Sequence, residues 1–466
     1  MPPTRLSSNI ATWPLCSYVA QQLLLPIKPA SPNVYEQRAA GSLQTIFKVH
    51  FQEFARQYDQ RYAKIYGRFR LPHITEVVER FLECGDYTKG VARIQCTNPA
   101  CKDEYFRPFS CKTFYFCPSC SQKRTLLFSE YMNEQLLLRL PHRQFVWTFP
   151  KLLRPFFRHD RRLFGQLSPL IFNMLQDFYD EAAGKKIDTG AVLAYQTAGD
   201  FLRWNPHFHG LVLEGGFDKQ SRFVHIPLGS LEKMTECFRK TVIRFFAEKK
   251  LINERLAENL LSWRHSGFSI DNGVRIPGSS EKTRQALSQY ISRPPLSLSK
   301  ILFEQFSGTV LYHSSYNDYF KRNQQLFSVQ DFIAQLTQHV PLKALRYIRR
   351  YGLYSSRTRG KWLSKPHVLR LAPAGWKNTH PDSCGTPESM APPPDIDFGP
   401  SAKGSQAAWT RLLAKIYEVD PLRCRKCGSE MRVLAVITNP DEVRKILKHL
   451  IKIGRSPPGL DPLSLN

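Results

Sequence analysis

Asn205-Pro206-His207-Phe208-His209-Gly210-Leu211-Val212-Leu213 is the stretch on which the reading of this chain turns. With the flanking residues it forms an apolar run closed by Glu214-Gly215-Gly216, and it reads as a β-strand. Alternate side chains of a strand share a face, so His207 and His209 point one way while Phe208 and Val212 enter the opposite, apolar layer. Two imidazoles on one face of a rigid strand make a two-ligand metal site. A third ligand from an adjacent strand would complete it and leave open positions for a phosphate oxygen. AVLAYQTAG (191–199) reads as that adjacent strand, and its Gln196 has an oxygen that suits a hard cation such as Mg²⁺ or Mn²⁺. His265 and Asp271 compete for the same place. Taken alone, the His-x-His pattern also fits two half-buried, hydrogen-bonded histidines.

Outward from this strand, the pattern over about 140–300 alternates between strands and helices. RQFVWTFP (143–150) reads as a strand, 159–182 as a helix with an apolar stripe, and 230–251 as a basic helix with Met234, Cys237, Phe238, Val242 and Phe245 inward. GFSIDNGVRI (267–276) reads as a further strand and 281–292 as a helix stopped by Pro294-Pro295. The order β-α-β-β-α-β with a following helix predicts an α+β, ferredoxin-like domain around a central antiparallel sheet. The last helix carries Tyr290, and a tyrosine can act as a covalent nucleophile. Its ordinary pKa is about 10, so attack on a phosphodiester needs a nearby metal and a cation such as Arg293.

Towards the N-terminus, 1–83 reads as a helical lead-in, with an amphipathic helix over about 43–66 and a shorter one over 74–82. Residues 84–124 hold six of the chain's eleven cysteines. Cys96-x4-Cys101 and Cys117-Pro-Ser-Cys120 offer the paired thiolates of a structural Zn²⁺, with Cys84 and Cys111 as alternates. The aromatic stretch between the pairs suits the strands of a zinc-ribbon-like module. Towards the C-terminus, 301–362 reads as a basic extension, 363–405 as a Pro-rich linker, and 407–453 as a small module. That module's Cys424-x-x-Cys427 resembles half of a ribbon.

The chain has 466 residues, 66 Lys+Arg against 39 Asp+Glu, and a formal net charge of +27. A hydrophobic content of 42% excludes global disorder. No apolar run is long enough to span a bilayer, and no secretory leader is evident, so the expected location is cytoplasmic with the thiols reduced. The charge excess points to a polyanion, and it is clustered. Between Asp331 and Asp382 there is no acidic residue, while Arg346, Arg349, Arg350, Arg357, Arg359 and Lys361 are interleaved with Tyr347, Tyr351, Tyr354 and Trp362. Cations for phosphates and rings for exposed bases suit DNA.

FSCKTFYFCPSC, NPHFHGLVLEGG, SQYISRPPLS, RRYGLYSSRTRG and DPLRCRKCGSEMRVLAVI, in this order, resemble the bacterial rolling-circle transposases of the insertion-sequence ninety-one type, members of the HUH endonucleases. The resemblance runs from about residue 80 to 450. It implies that His207 and His209 hold a divalent metal. It also implies that Tyr290 attacks single-stranded DNA to form a 5′-phosphotyrosine link, freeing a 3′-OH, with no need for ATP. The cysteine region resembles the family's zinc-binding module, which would bind DNA or support the catalytic domain. The expected partner is the single-stranded or hairpin ends of the parent insertion sequence, bound in the nucleoid, with self-association allowed. The chain departs from the family's paired tyrosines, because Ala286 stands four residues before Tyr290. A second transfer would then reuse Tyr290, draw on a second subunit, or enlist Tyr347 or Tyr351. The competing readings are a rolling-circle replication initiator or relaxase, a catalytically dead zinc-dependent DNA-binding protein, and a metal-dependent phosphohydrolase that leaves no adduct.

Overall fold

The computed structural model of the chain describes residues 41–376, 424, 426–457, 460 and 462–465. The first 40 residues of the expected lead-in (1–83) and most of the expected linker lie outside these residues. The elements that matter here begin with α1 (Ser42–Arg61) and α2 (Leu71–Leu82). Strands β1 (Val91–Cys96) and β2 (Glu104–Pro108) and helix α3 (Pro118–Tyr131) follow. Next come β3 (His142–Thr148), α4 (Arg162–Ala183), β4 (Gly190–Ala198), β5 (Trp204–Leu213) and the small pair β6 (Gly215–Phe217) and β7 (Phe223–His225). Then come α5 (Glu232–Glu248), β8 (Ser269–Asp271), β9 (Arg275–Ile276) and α6 (Glu281–Ser292). The rest comprises β10 (Ile301–Glu304), β11 (Thr309–Asn317), β12 (Arg322–Ser328), α7 (Val329–Thr337), β13 (Ile348–Gly352), β14 (Met431–Ile437) and α8 (Pro440–Lys452).

The architecture is a mixture of helices and antiparallel sheets. The central sheet runs β13-β4-β5-β3-β8, with β9 also paired to β3. The His-x-His strand β5 lies between β4 and β3, both antiparallel to it. Being flanked on both sides makes β5 rigid, and one face is sealed. Phe145, Trp147, Phe149, Phe164, Leu167, Phe208, Phe238 and Phe246 form its apolar layer, all fully or nearly fully buried. Gly210 has a steric reason to be glycine: a Cβ there would meet the Trp147 ring at 2.5 Å. At the strand's end Glu214, buried, accepts ion pairs from Arg143 and Arg275, each at 2.6 Å, tying β5 to β3 and β9.

A second core joins α1, α2 and α7 to the sheet β10-β11-β12. Phe201 (φ 54°) and Leu202 (φ 57°) enter it from the loop before β5. Left-handed backbone at two bulky residues is costly and persists only where surroundings enforce it. Both side chains are buried, and the Leu202 carbonyl accepts from Gln338 Nε2 (3.1 Å) and His339 Nε2 (2.8 Å).

Several expectations change. The strand over 267–276 is two short strands, β8 and β9, separated by residues 272–274, which belong to neither. Cys237, expected inward on α5, is exposed. Of the aromatic stretch between the cysteine pairs, Tyr105 and Phe106 lie on strand β2, whereas 114–116 is a tight turn, with Tyr115 at φ 73°, that sends Phe116 into one core and Phe114 and Tyr115 into the other. The basic extension is not one element. Its first part is the sheet β10–β12 with α7, and its second supplies β13, the edge of the central sheet. The linker does not begin at 363, since Val368 and Trp376 are buried in the main core. The C-terminal module is not separate either, because β14 pairs with β1 in a three-stranded sheet β14-β1-β2.

Candidate functional site

The alternation expected of β5 places His207 and His209 on one face. Both are buried, and their Nε2 atoms face each other at 2.9 Å. Two nitrogens each about 2.1 Å from one ion in adjacent positions would stand about 3 Å apart, so the pair fits a shared metal. His207 Nδ1 donates to the Asn205 carbonyl at 2.7 Å, which fixes the tautomer and leaves the Nε2 lone pair for an ion. Burial, moderated by the Asn205 carbonyl, holds His207 below the ordinary histidine range. Burial, with His207 and Arg293 adding to it, holds His209 well below that range. Both rings are therefore neutral at neutral pH, the state a ligand needs.

Gln196 lies directly across from His207 in the β4–β5 register. Its Nε2 donates to the Tyr290 and Ile291 carbonyls at 3.4 and 3.2 Å, clamping the end of α6 over the histidine face. No third His, Cys, Asp or Glu among the described residues lies within 4.8 Å of both histidine nitrogens. Asp271, on β8 across from Val146, is exposed, and His265 is exposed in the loop before it. Sequence reasoning missed Gln144. From β3, its Nε2 lies 3.3 Å from His209 Nδ1. Its signal was only its parity with Val146 and Thr148 on a strand paired to β5.

Tyr290 sits over the pair, its ring 5.2 Å from that of His209 and edge-on. Burial raises the phenol above its ordinary pKa; Arg293 pulls it down and Asp271 pushes it up. The Arg293 guanidinium carbon is 5.3 Å from the Tyr290 ring centre. Helix α6 is held in place by α3: Ser129 Oγ donates to the Gln285 carbonyl (2.9 Å) and Thr125 Oγ1 to the Ser292 carbonyl (3.3 Å).

Helix α3 begins at a cluster of cysteines. Cys84, Cys111, Cys117 and Cys120 bring their Sγ atoms within 4.8 Å of one another, with contacts of 3.6–3.8 Å. A tetrahedral zinc with Zn–S near 2.3 Å would put the sulfurs about 3.8 Å apart, so the donor set fits structural Zn²⁺. This corrects the expected ligand set. Cys117 and Cys120 take the two alternates, Cys84 and Cys111, as partners. Cys96 and Cys101 fall instead into a second group with Cys424 and Cys427.

Of the basic residues, Arg346, Arg357 and Lys361 are exposed and Arg349 and Arg350 half-buried. Arg350 donates to the Tyr131 hydroxyl. Arg359 is buried and donates to the Gln135 and Trp376 carbonyls, so it is a packing residue. Tyr347 and Tyr354 are also buried, and Tyr347 stacks on Phe114. Neither ring can meet a base, and Tyr347 cannot serve as a second nucleophile in this conformation.

Residues 190–361, which hold the histidine pair and the tyrosine, match the family model described as "Putative transposase", and residues 47–149, which hold the first cysteine cluster, match the "Transposase zinc-binding domain". The chain is 26% identical over 397 residues to the transposase of insertion sequence element IS801 of Pseudomonas savastanoi pv. phaseolicola, covering 78% of this chain and 84% of that protein. No solved structure matches. Together these matches support an IS91-type transposase with an N-terminal zinc-binding domain. No helix among the described residues is long and apolar enough to cross a membrane.

Proposed function

We propose that this transposase nicks and rejoins single-stranded DNA at the ends of its insertion sequence through a covalent 5′-phosphotyrosine at Tyr290, the chemistry of rolling-circle transposition. The observation that carries the reading is the Tyr290 ring set 5.2 Å from His209, with the His207 and His209 Nε2 atoms 2.9 Å apart beside it. The strand order around β5, with β4 and β3 as its antiparallel neighbours and β8 beyond β3, supports the ferredoxin-like HUH arrangement.

In the reaction the Tyr290 oxygen forms a bond to the scissile phosphorus, the bond from phosphorus to the 3′ oxygen breaks, and the phenolic proton leaves as the 3′ oxygen gains one. One P–O ester replaces another, so the reverse step joins strands without ATP. Arg293 offsets charge on the phosphate. His207 and His209, with Gln196 as third donor, would hold a divalent cation, which would supply Lewis-acid charge to a phosphate oxygen. Arg346, Arg357 and Lys361 extend the cationic surface for the strand.

The test is a denaturing gel of the purified protein with labelled single-stranded oligonucleotides from the element's ends, with and without Mg²⁺ or Mn²⁺. Metal-dependent cleavage and a protein–DNA band, both lost in Tyr290→Phe, are expected. Cleavage without a covalent band would replace the reading with a phosphohydrolase. Binding with neither would reduce this chain to a DNA-binding protein.

A further inference from the structure

We propose a second structural zinc site, built from both ends of the chain: Cys96 and Cys101 at the end of β1, and Cys424 and Cys427 just before β14. Cys96 Sγ lies 3.5 Å from Cys427 Sγ, and Cys101 Sγ 3.6 Å from Cys424 Sγ, across 331 and 323 residues of sequence. All four sulfurs lie within 4.8 Å of one another. These spacings match the edges of a zinc–thiolate tetrahedron, about 3.8 Å, and not a disulfide, whose sulfurs are about 2.05 Å apart. Two of the four ligands lie beyond residues 47–149, the region matched as a zinc-binding domain.

Each half is a tight turn that brings its two thiols toward those of the other half. In the first, the Asn98 amide lies 3.4 Å from Cys96 Sγ, and the Cys101 amide donates to the Asn98 carbonyl at 3.1 Å. In the second, Gly428 (φ 72°) closes back onto Cys424, its amide donating to the Cys424 carbonyl at 2.9 Å. The left-handed backbone explains a glycine at this position. The halves are joined by backbone: Thr97 N donates to the Glu430 carbonyl at 2.8 Å, and β14 pairs with β1 from Cys96↔Met431 to Val91↔Ile437. Lys426 adds an ion pair to Asp103 at 2.9 Å. The result is a zinc ribbon assembled from distant segments of one chain, with β1 and β2 from one segment and β14 from the other.

The module has reason to need such a staple. Its core is Tyr87, Val91, Phe106, Val443, Leu447, Leu450 and Leu465 with a few half-buried neighbours. A core that small supplies little stability against the entropy of holding the far end of the chain. The second ion therefore fixes β14 and α8 to the N-terminal zinc domain, and its loss frees them while the central sheet stays intact.

Metal content of the purified full-length chain, paired with hydrogen exchange, tests this. Two zinc ions per chain are expected, falling to one in Cys424→Ser/Cys427→Ser. Exchange across 431–437 should rise tenfold or more in that variant while 142–148 and 204–213 keep their protection. One zinc in the wild type, or two in the variant, would overturn the site. Should the variant not fold, thiol alkylation of zinc-loaded wild type decides. Cys427 is exposed, so its resistance to alkylation until a chelator is added supports the site, and ready modification with zinc present refutes it.

Discussion

Gln144 reaches His209 from the neighbouring strand β3, its side-chain amide 3.3 Å from Nδ1. Gln144 is an amide, and whether its nitrogen or oxygen meets His209 Nδ1 decides where the imidazole proton sits. Metal binding through Nε2 requires the oxygen there, accepting from Nδ1–H. Gln144→Ala should therefore weaken divalent-ion affinity by about 10–100-fold while leaving the fold intact, as read by calorimetric titration of Mn²⁺. At Tyr290 the opposing influences of burial and Arg293 give a second expectation. Nucleophilic attack needs the phenolate, so the cleavage rate should rise with pH. Removing the cation in Arg293→Ala should move that rise to higher pH, visible in a single-turnover pH profile. An unshifted profile would remove Arg293 from the tyrosine's electrostatics.

At the scale of elements, β5 and α6 were legible because their side chains obey simple periods. Alternation gave the shared face of His207 and His209, and a helical stripe ended by two prolines gave 281–292, the observed helix. Gln144 was not legible, because its role depends on β3 being the neighbour of β5, a pairing that sequence spacing does not encode. The cysteine partners were missed for the same reason: local spacing favoured Cys96-x4-Cys101 with Cys117-x-x-Cys120, whereas the chain returns from residue 424 to claim the first pair. Buried Arg359, Tyr347 and Tyr354 show the limit of reading charge and aromatic runs as surface, since β13 and the turns after it pack against the core. Two expectations belong here. Gly210→Ala should destabilise the chain by about 1–3 kcal/mol through overpacking against Trp147, measured by denaturant unfolding. His142 links β3 to the segment after β13: its Nδ1 donates to the Leu140 carbonyl (2.8 Å) and its Nε2 accepts from the Tyr354 hydroxyl (2.6 Å). Burial lowers it to about 4, so the unfolded chain binds a proton that the folded chain refuses. Its contribution, roughly 3 kcal/mol, should be present above pH ~6.5 and be lost as pH falls towards 4. A flatter acid limb for His142→Gln in melts taken across that window would bear this out; an unchanged limb would contradict it.

For the whole molecule, the α3 helix connects a cysteine cluster to the tyrosine, since Cys117 and Cys120 open α3 and Ser129 and Thr125 seat α6. Zinc removal should thus impair cleavage by displacing Tyr290, more than it impairs strand binding. The role proposed for the exposed cations is longer in range. Replacing Arg346, Arg357 or Lys361 singly by Ala should weaken binding about uniformly across sequences and flatten the salt dependence by about one unit of log–log slope each. On the proposed function, Tyr290 is the point of covalent attachment to DNA. The most direct measurement is mass spectrometry of the protein–DNA adduct after protease and nuclease digestion. A nucleotide-bearing peptide fragmenting to place the phosphate on Tyr290 is the predicted result; an adduct mapped to Tyr351 or to any other side chain, with Tyr290 unmodified, would contradict it.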